Sequence, residues 1–276
     1  MRILVTGAAG MLGQDLMAHL RDHGDDPVGV DLEVDIRDQA AVDACVDAVR
    51  PEAIIHCAAW TDVDGAEAQE DAAFAVNATG AGNVARAAAR VGAGLVYPST
   101  DYVFDGTGTR DHTEGDPTSP LGAYGRTKLA GEEAVLAAHP EGARVARTAW
   151  LYGAKGRNFI DTMRRLGAER DAVQVVADQE GCPTWTKDLA PALRALLDQP
   201  AGVYHTAGAG SVTWAGLAEA VFDLTGLPCR VEPITTDQLG RPAPRPARSV
   251  LAVTRPGAPV LRHWRAALAD YIAETT

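Results

Sequence analysis

At 276 residues the chain can bury a substantial core, which excludes a small scaffold held together by disulfides. Its net charge of -12 argues against nucleic acid or an anionic membrane surface as a partner, while a small anionic ligand remains compatible with a locally cationic pocket. Cys45, Cys57, Cys182 and Cys229 are scattered without a Cys-x-x-Cys pair, and no run approaches the roughly 20 apolar residues of a membrane span. The start, Met1 to Val5, lacks the features of a signal peptide, so the expectation is a cytoplasmic protein with reduced thiols.

The first half alternates short β-rich runs with Ala-rich helical stretches, the pattern of βαβ units around a parallel sheet. Strands are predicted at 2–6, 28–30, 53–57, 95–97 and 144–147, and helices from about Met11, Gln39, Glu70 and Tyr124. Right-handed crossovers then put helices on both faces of the sheet. The second half is less regular, with helices predicted at 158–168, 187–197, 214–224 and 264–272, a strand at 173–177 and a Pro- and Arg-rich stretch from Arg241 to Arg248. The expected fold is therefore α/β, a doubly wound, Rossmann-like parallel sheet. Residues 1–150 form the dinucleotide-binding core, and residues 151–276 form mainly a smaller substrate-binding lobe, with some segments returning to the core.

Three glycines, Gly7, Gly10 and Gly13, directly follow the first strand in "VTGAAGMLG" and open the first helix. Gly7 permits a tight turn, Gly10 lets backbone approach a pyrophosphate and Gly13 lets helix and strand pack closely, while the helix N-terminus offers amide donors. Met11 and Leu12 belong to the same cofactor-contacting turn. Asp31 ends the second strand 18 residues after Gly13, close to the spacing of about 20 at which an acid meets the adenosine ribose. Taken alone it favours NADH, yet Arg37 is near enough in sequence to accommodate a 2′-phosphate, so NADPH and NADH both stay open. Asp35 and Ile36 are placed beside the adenine.

Tyr124 and Lys128, four apart on a helical stretch, share one helix face. Hydride delivery to a ketone creates an alkoxide that needs a proton at once. A tyrosine with a pKa of about 10 is a sluggish acid, and a neighbouring ammonium is expected to lower it. Ser99, Thr100 and Asp101 follow the fourth predicted strand, at the carboxyl edge where ligands sit in such sheets. A hydroxyl there can orient a carbonyl oxygen, and periodicity does not choose between Ser99 and Thr100.

With the glycine turn, "STDYVFDG" and "YGRTKLAGE", the chain resembles the extended short-chain dehydrogenase/reductases, and among them the dTDP-4-dehydrorhamnose reductase family. The likeness extends over "CAAWTDVDGAE", "AVNATGAGNVA", "RTAWLYG", "NFIDTMRRL", "DQEGCPT" and "RPARSVL", nearly the whole chain. The resemblance implies Tyr124 as proton donor, Lys128 as its partner and Thr100 as the hydroxyl on the sugar's C4 oxygen. It further implies Thr100, Asp101 and Trp150 as contacts to the sugar nucleotide, and Ala58, Ala59 and Trp60 near the cofactor, with Trp60 standing where relatives often have histidine. Asn77 matches a helix asparagine near the site and is read as structural.

The activity implied is hydride transfer from NADPH or NADH to C4 of dTDP-4-dehydro-L-rhamnose, giving dTDP-L-rhamnose, by a monomer or homodimer. Magnesium is suggested by the resemblance alone, with no residues matched to it and no metal site read from spacing. Rival readings are a reductase or epimerase of another nucleotide 4-ketosugar, and a non-catalytic subunit like the β subunit of methionine adenosyltransferase. Dehydration is disfavoured because Asp101 and Tyr102, rather than an acidic pair, follow Thr100.

Overall fold

A computed structural model describes residues 1–276. The first half runs β1 (Arg2–Thr6), α1 (Met11–Asp22), β2 (Asp26–Val30), α2 (Gln39–Val49) and β3 (Ala53–His56). Two short helices, α3 (Val63–Ala68) and α4 (Glu70–Phe74), lead through a π-helical stretch, Ala75–Gly80, into α5 (Ala81–Val91). Then come β4 (Gly94–Thr100), α6 (Ala123–Ala138) and β5 (Ala143–Thr148).

The second half contains β6 (Leu151–Tyr152), α7 (Phe159–Glu169), β7 (Ala172–Val176), β8 (Glu180–Gly181), β9 (Thr184–Trp185) and α8 (Thr186–Leu196). It continues through β10 (Gly202–His205), β11 (Val212–Thr213), α9 (Trp214–Thr225), β12 (Arg230–Ile234), α10 (Thr236–Leu239) and α11 (Trp264–Thr275).

Six strands form one parallel sheet in the order β10-β5-β4-β3-β1-β2. The chain steps outward from β1 to β2 and then returns to the other side of β1 with β3. That reversal opens a crevice at the carboxyl edge. Side chains alternate across a strand, and β1 shows the result: Ile3 and Val5 pack with Leu16, Leu20, Leu189 and Leu193 of α1 and α8. Leu4 faces the other way, into the layer holding Val46, Val84 and Val135 of α2, α5 and α6. Because both faces are covered, β1 and β3 are buried and read as continuous apolar runs rather than alternating ones.

A third core lies in the second half, where Ile160, Leu217, Val221, Trp264, Leu268 and Tyr271 of α7, α9 and α11 meet. Its strands are small: β6 pairs with β9, β8 with β11 and β7 with β12.

The structure differs from the sequence reading in several places, beyond the short elements β6, β8, β9, β11, α3 and α10 that the reading did not include. The fourth strand runs on to Thr100, since Ser99 and Thr100 pair in register with Arg147 and Thr148, so these residues are strand and not the loop beyond it. β10 and β12 were not predicted. The former has four residues opening on a glycine, and the latter is an exposed edge strand containing Pro233, which an edge tolerates because it needs no ladder donor there. The helix expected from Glu70 changes to π-helical pitch at Ala75, a type of irregularity often found at functional sites.

Candidate active site

A cavity of about 1060 Å³ occupies the carboxyl edge of the sheet, walled by residues from both halves of the chain. On the cofactor side Gly7 takes a positive φ of 67°, and a Cβ there would lie 2.6 Å from the amide nitrogen of Ala58. A Cβ at Gly13 would overlap the carbonyl oxygen of Gly7. The turn is therefore a cradle that only small residues permit. Gly10 caps α1 without a side-chain hydrogen bond, and no acid occupies the first turn, so the leading amides and the positive helix end face an incoming anion unopposed. Met11 and Leu12 line the same wall, as do Ala58 and Ala59 beyond β3.

Asp31 also lines the cavity, and its carboxylate accepts hydrogen bonds from the Ala9 amide at 2.8 Å and the Leu32 amide at 3.0 Å. Asp35, Ile36 and Arg37 complete this end. Ile36 is buried, and its carbonyl accepts a hydrogen bond from Asn83 of α5 at 2.8 Å. The cradle, the uncapped helix and the carboxylate at the end of β2 together fit a dinucleotide.

The opposite end carries the reactive groups. Thr100 ends β4, and its hydroxyl donates to Asp101 at 3.1 Å and accepts from the Tyr102 amide at 3.2 Å. Tyr124, from the first turn of α6, lines the same cavity as Thr100. Burial, and secondarily the charge of Asp101, push its phenol up to about 12. Lys128 lies one turn further along α6, donates to the Pro98 carbonyl at 2.9 Å and sits 4.0 Å above the ring of Tyr97. Desolvation lowers its pKa to about 7, against the opposing pull of Glu132. Asp101 is buried beside Ser249 and is raised to about 7 by desolvation. The expected lowering of the tyrosine by the lysine is thus absent: the Tyr124 phenol is shifted up, and the Lys128 ammonium is directed to a backbone carbonyl.

Trp60 stands apart from the wall expected for it. The amide and carbonyl of Trp60 are bound by the Asn77 side chain at 2.8 and 3.1 Å, and its indole donates to the carbonyl of Asp62. Trp60 therefore packs near Tyr124 without lining the cavity. Asn77 also donates to Thr127 at 3.1 Å, so it ties the π-helical stretch to both the loop after β3 and α6. The hydroxyl of Ser99 donates to Glu132 at 2.5 Å, and Glu132 is itself clamped by Arg147. That alternation leaves Thr100, rather than Ser99, beside Tyr124.

The sequence reading missed Arg157 and Trp214, which line the cavity from the second half. Trp214 stacks flat on Trp150, with centroids 3.5 Å apart and planes at 4°. Trp150 has a positive φ of 46°, costly for an aromatic residue, and Gly181 lies directly beneath its ring. No local sequence signal marks Trp214, since it opens α9 more than sixty residues from Trp150 and meets it only through tertiary packing. No group of three or more His, Cys, Asp or Glu side chains is placed to hold a metal ion.

The family profile described as "RmlD substrate binding domain" matches residues 1–276. The chain belongs to the RmlD substrate binding domain family. Among curated relatives, a "dTDP-4-dehydrorhamnose reductase" of Streptomyces griseus is 48% identical over 98% of this chain and 92% of its own length. A "dTDP-4-keto-6-deoxy-D-glucose reductase" of Streptomyces niveus is also 48% identical, over 97% and 95% of the respective chains. The crystal structure of a dTDP-4-dehydrorhamnose reductase from Bacillus anthracis, in complex with NADP, superposes with a TM-score of 0.96 at 39% identity, covering 99% of both chains. For a member of the RmlD substrate binding domain family, the cradle and the cavity residues Thr100, Tyr124 and Lys128 thus sit within a fold shared almost end to end.

Proposed function

We propose that this chain is an NAD(P)H-dependent reductase of dTDP-linked 4-keto sugars, converting dTDP-4-dehydro-L-rhamnose to dTDP-L-rhamnose. The observation that carries this reading is the convergence of Thr100, Tyr124 and Lys128 on one cavity that also contains the dinucleotide cradle. A bound reduced nicotinamide supplies the hydride that adds to C4 of the sugar. The carbonyl oxygen then gains a proton, and Tyr124 is the donor, because a phenol pushed up to about 12 is fully protonated at neutral pH. The Thr100 hydroxyl, held between Asp101 and the Tyr102 amide, positions the oxygen that receives that proton. Lys128 keeps a cation in the same wall while it is protonated.

The sugar nucleotide enters between the two halves, where Asp101 and the stacked Trp150–Trp214 pair form the wall facing the cradle. We assign residues 1–150 to dinucleotide binding and the remainder mainly to that sugar-nucleotide wall, with β10 and α8 returning to the core layer. The relatives carry two substrate names, so dTDP-4-keto-6-deoxy-D-glucose is the second substrate to test. Replacing Tyr124 with Phe should lower turnover by about 10²- to 10⁴-fold, the usual worth of a positioned general acid. Dinucleotide affinity, measured by titration, should move far less. Full activity in that variant refutes the assignment. Stoichiometric loss of NADPH or NADH with either keto sugar separates reduction from epimerisation, which returns its cofactor unchanged.

A further inference from the structure

The end of the cavity beyond β2 is unusually acidic. Asp31 points its carboxylate at the glycine turn through Ala9, and Glu33 turns back to accept the Asp31 amide at 2.9 Å. Asp35 lines the cavity a few residues on. The one cation on this rim is Arg37, and it is already engaged: its Nε and Nη2 donate to the two oxygens of Asp35 at 2.8 and 2.7 Å, and its own amide donates to Asp35 at 3.0 Å. The other exposed guanidinium lining the cavity, Arg157, follows Gly156, which packs on Met11 at the start of α1 and not on the residues after β2.

We propose that this rim makes the chain select NADH over NADPH, and that Asp35 is a specificity-determining residue because it withholds Arg37 from a 2′-phosphate. The proposal rests on the reductase reading above and adds the choice between the two dinucleotides. A ribose with free hydroxyls can donate to Asp31. A 2′-phosphate carries about two negative charges and has no proton to give, so it meets carboxylates on this rim with their only counter-ion already neutralised. An exposed pair such as Asp35–Arg37 is weak by itself, but a 2′-phosphate can draw the arginine only by leaving Asp35 without its partner. Turning away does not remove the charge of Asp35, and the repulsion remains. The pairing itself, foremost the hydrogen bond from Arg37, holds the Asp35 carboxyl down to about 2, so it stays charged throughout the working range.

Calorimetric titration of the full chain with NADH and NADPH, without sugar, tests this directly. NADH should bind roughly tenfold more tightly at low salt, with the gap narrowing as salt screens the rim. In Asp35→Asn, NADPH affinity should rise roughly tenfold relative to NADH, and adding Arg37→Ala should abolish that gain. Both residues are exposed in a surface turn, and the single Arg37→Ala variant provides a second test, since it leaves Asp35 uncompensated and should not raise NADPH affinity relative to NADH. Equal or tighter NADPH binding by the wild-type chain, or an unmoved ratio in Asp35→Asn, overturns the proposal and leaves the reductase reading standing. Failure to bind either dinucleotide overturns both.

Discussion

Lys128 is almost wholly inaccessible, and moving an ammonium out of water weakens its hold on the proton, which is why its pKa falls to about 7. Tyr124 moves the other way, to about 12, because the charged form of a phenol is the one that burial penalises. In the reductive direction the phenol is therefore a ready donor across neutral pH, and a loss of activity on the alkaline side has to come from another group. Lys128 is charged below about pH 7 and neutral above it, so turnover should fall as pH rises through that value. Lys128→Met should lower kcat by about 10²-fold or more and leave the remaining rate without this inflection. Asp101 also titrates near 7, becoming charged as pH rises. If the inflection survives in Lys128→Met and vanishes in Asp101→Asn, the carboxyl is responsible and the assignment to lysine is wrong.

The elements that build the cofactor side were legible because each has a local cause. β1 and β3 are short apolar runs, α2 is capped by Asp38 through the Ala40 amide, and the glycine spacing falls between a strand and a helix. Tyr124 and Lys128 were legible for the same reason, as two positions on one face of α6. Their proton affinities were not, because these depend on burial, on Asp101 near the phenol and on Glu132 near the ammonium, which spacing does not reveal. The glycine turn allows a direct test of the close packing it was read to provide. Gly13→Ala would drive a methyl into the Gly7 carbonyl and the Ala8 backbone, neither of which can yield as a side-chain tip would. Overpacking of this kind costs about 1–3 kcal/mol, and dinucleotide binding should weaken with it. Gly115→Ala is the control, since a Cβ there meets nothing within 4 Å and φ is ordinary. Its urea midpoint should match the parent, and equal losses in both variants would contradict the packing argument.

At the scale of the whole molecule the second half was the less legible, since its pieces are two-residue strands and helices joined by contacts distant in sequence. The aromatic wall shows this: Trp150, Gly181 and Trp214 come from three separate segments, and the strained φ of Trp150 is sustained by all three together. The same holds for the buried ion pair behind the reactive wall. Glu132 of α6 and Arg147 of β5 are 2% and 5% exposed, with Arg147 donating three bonds to the two carboxylate oxygens at 2.7 to 3.2 Å and Ser99 of β4 adding a fourth. This joins one helix and two adjacent strands directly beneath Thr100. Two charges taken out of water gain little over an apolar pair of similar size, but removing one strands the other, at a cost of about 3–5 kcal/mol. Glu132→Leu and Arg147→Met should each lose that much in urea unfolding, while the double variant should lose clearly less than the sum. Strictly additive losses would show that the two side chains stabilise the sheet independently, and that the pair does not join α6 to β4 and β5 as one unit.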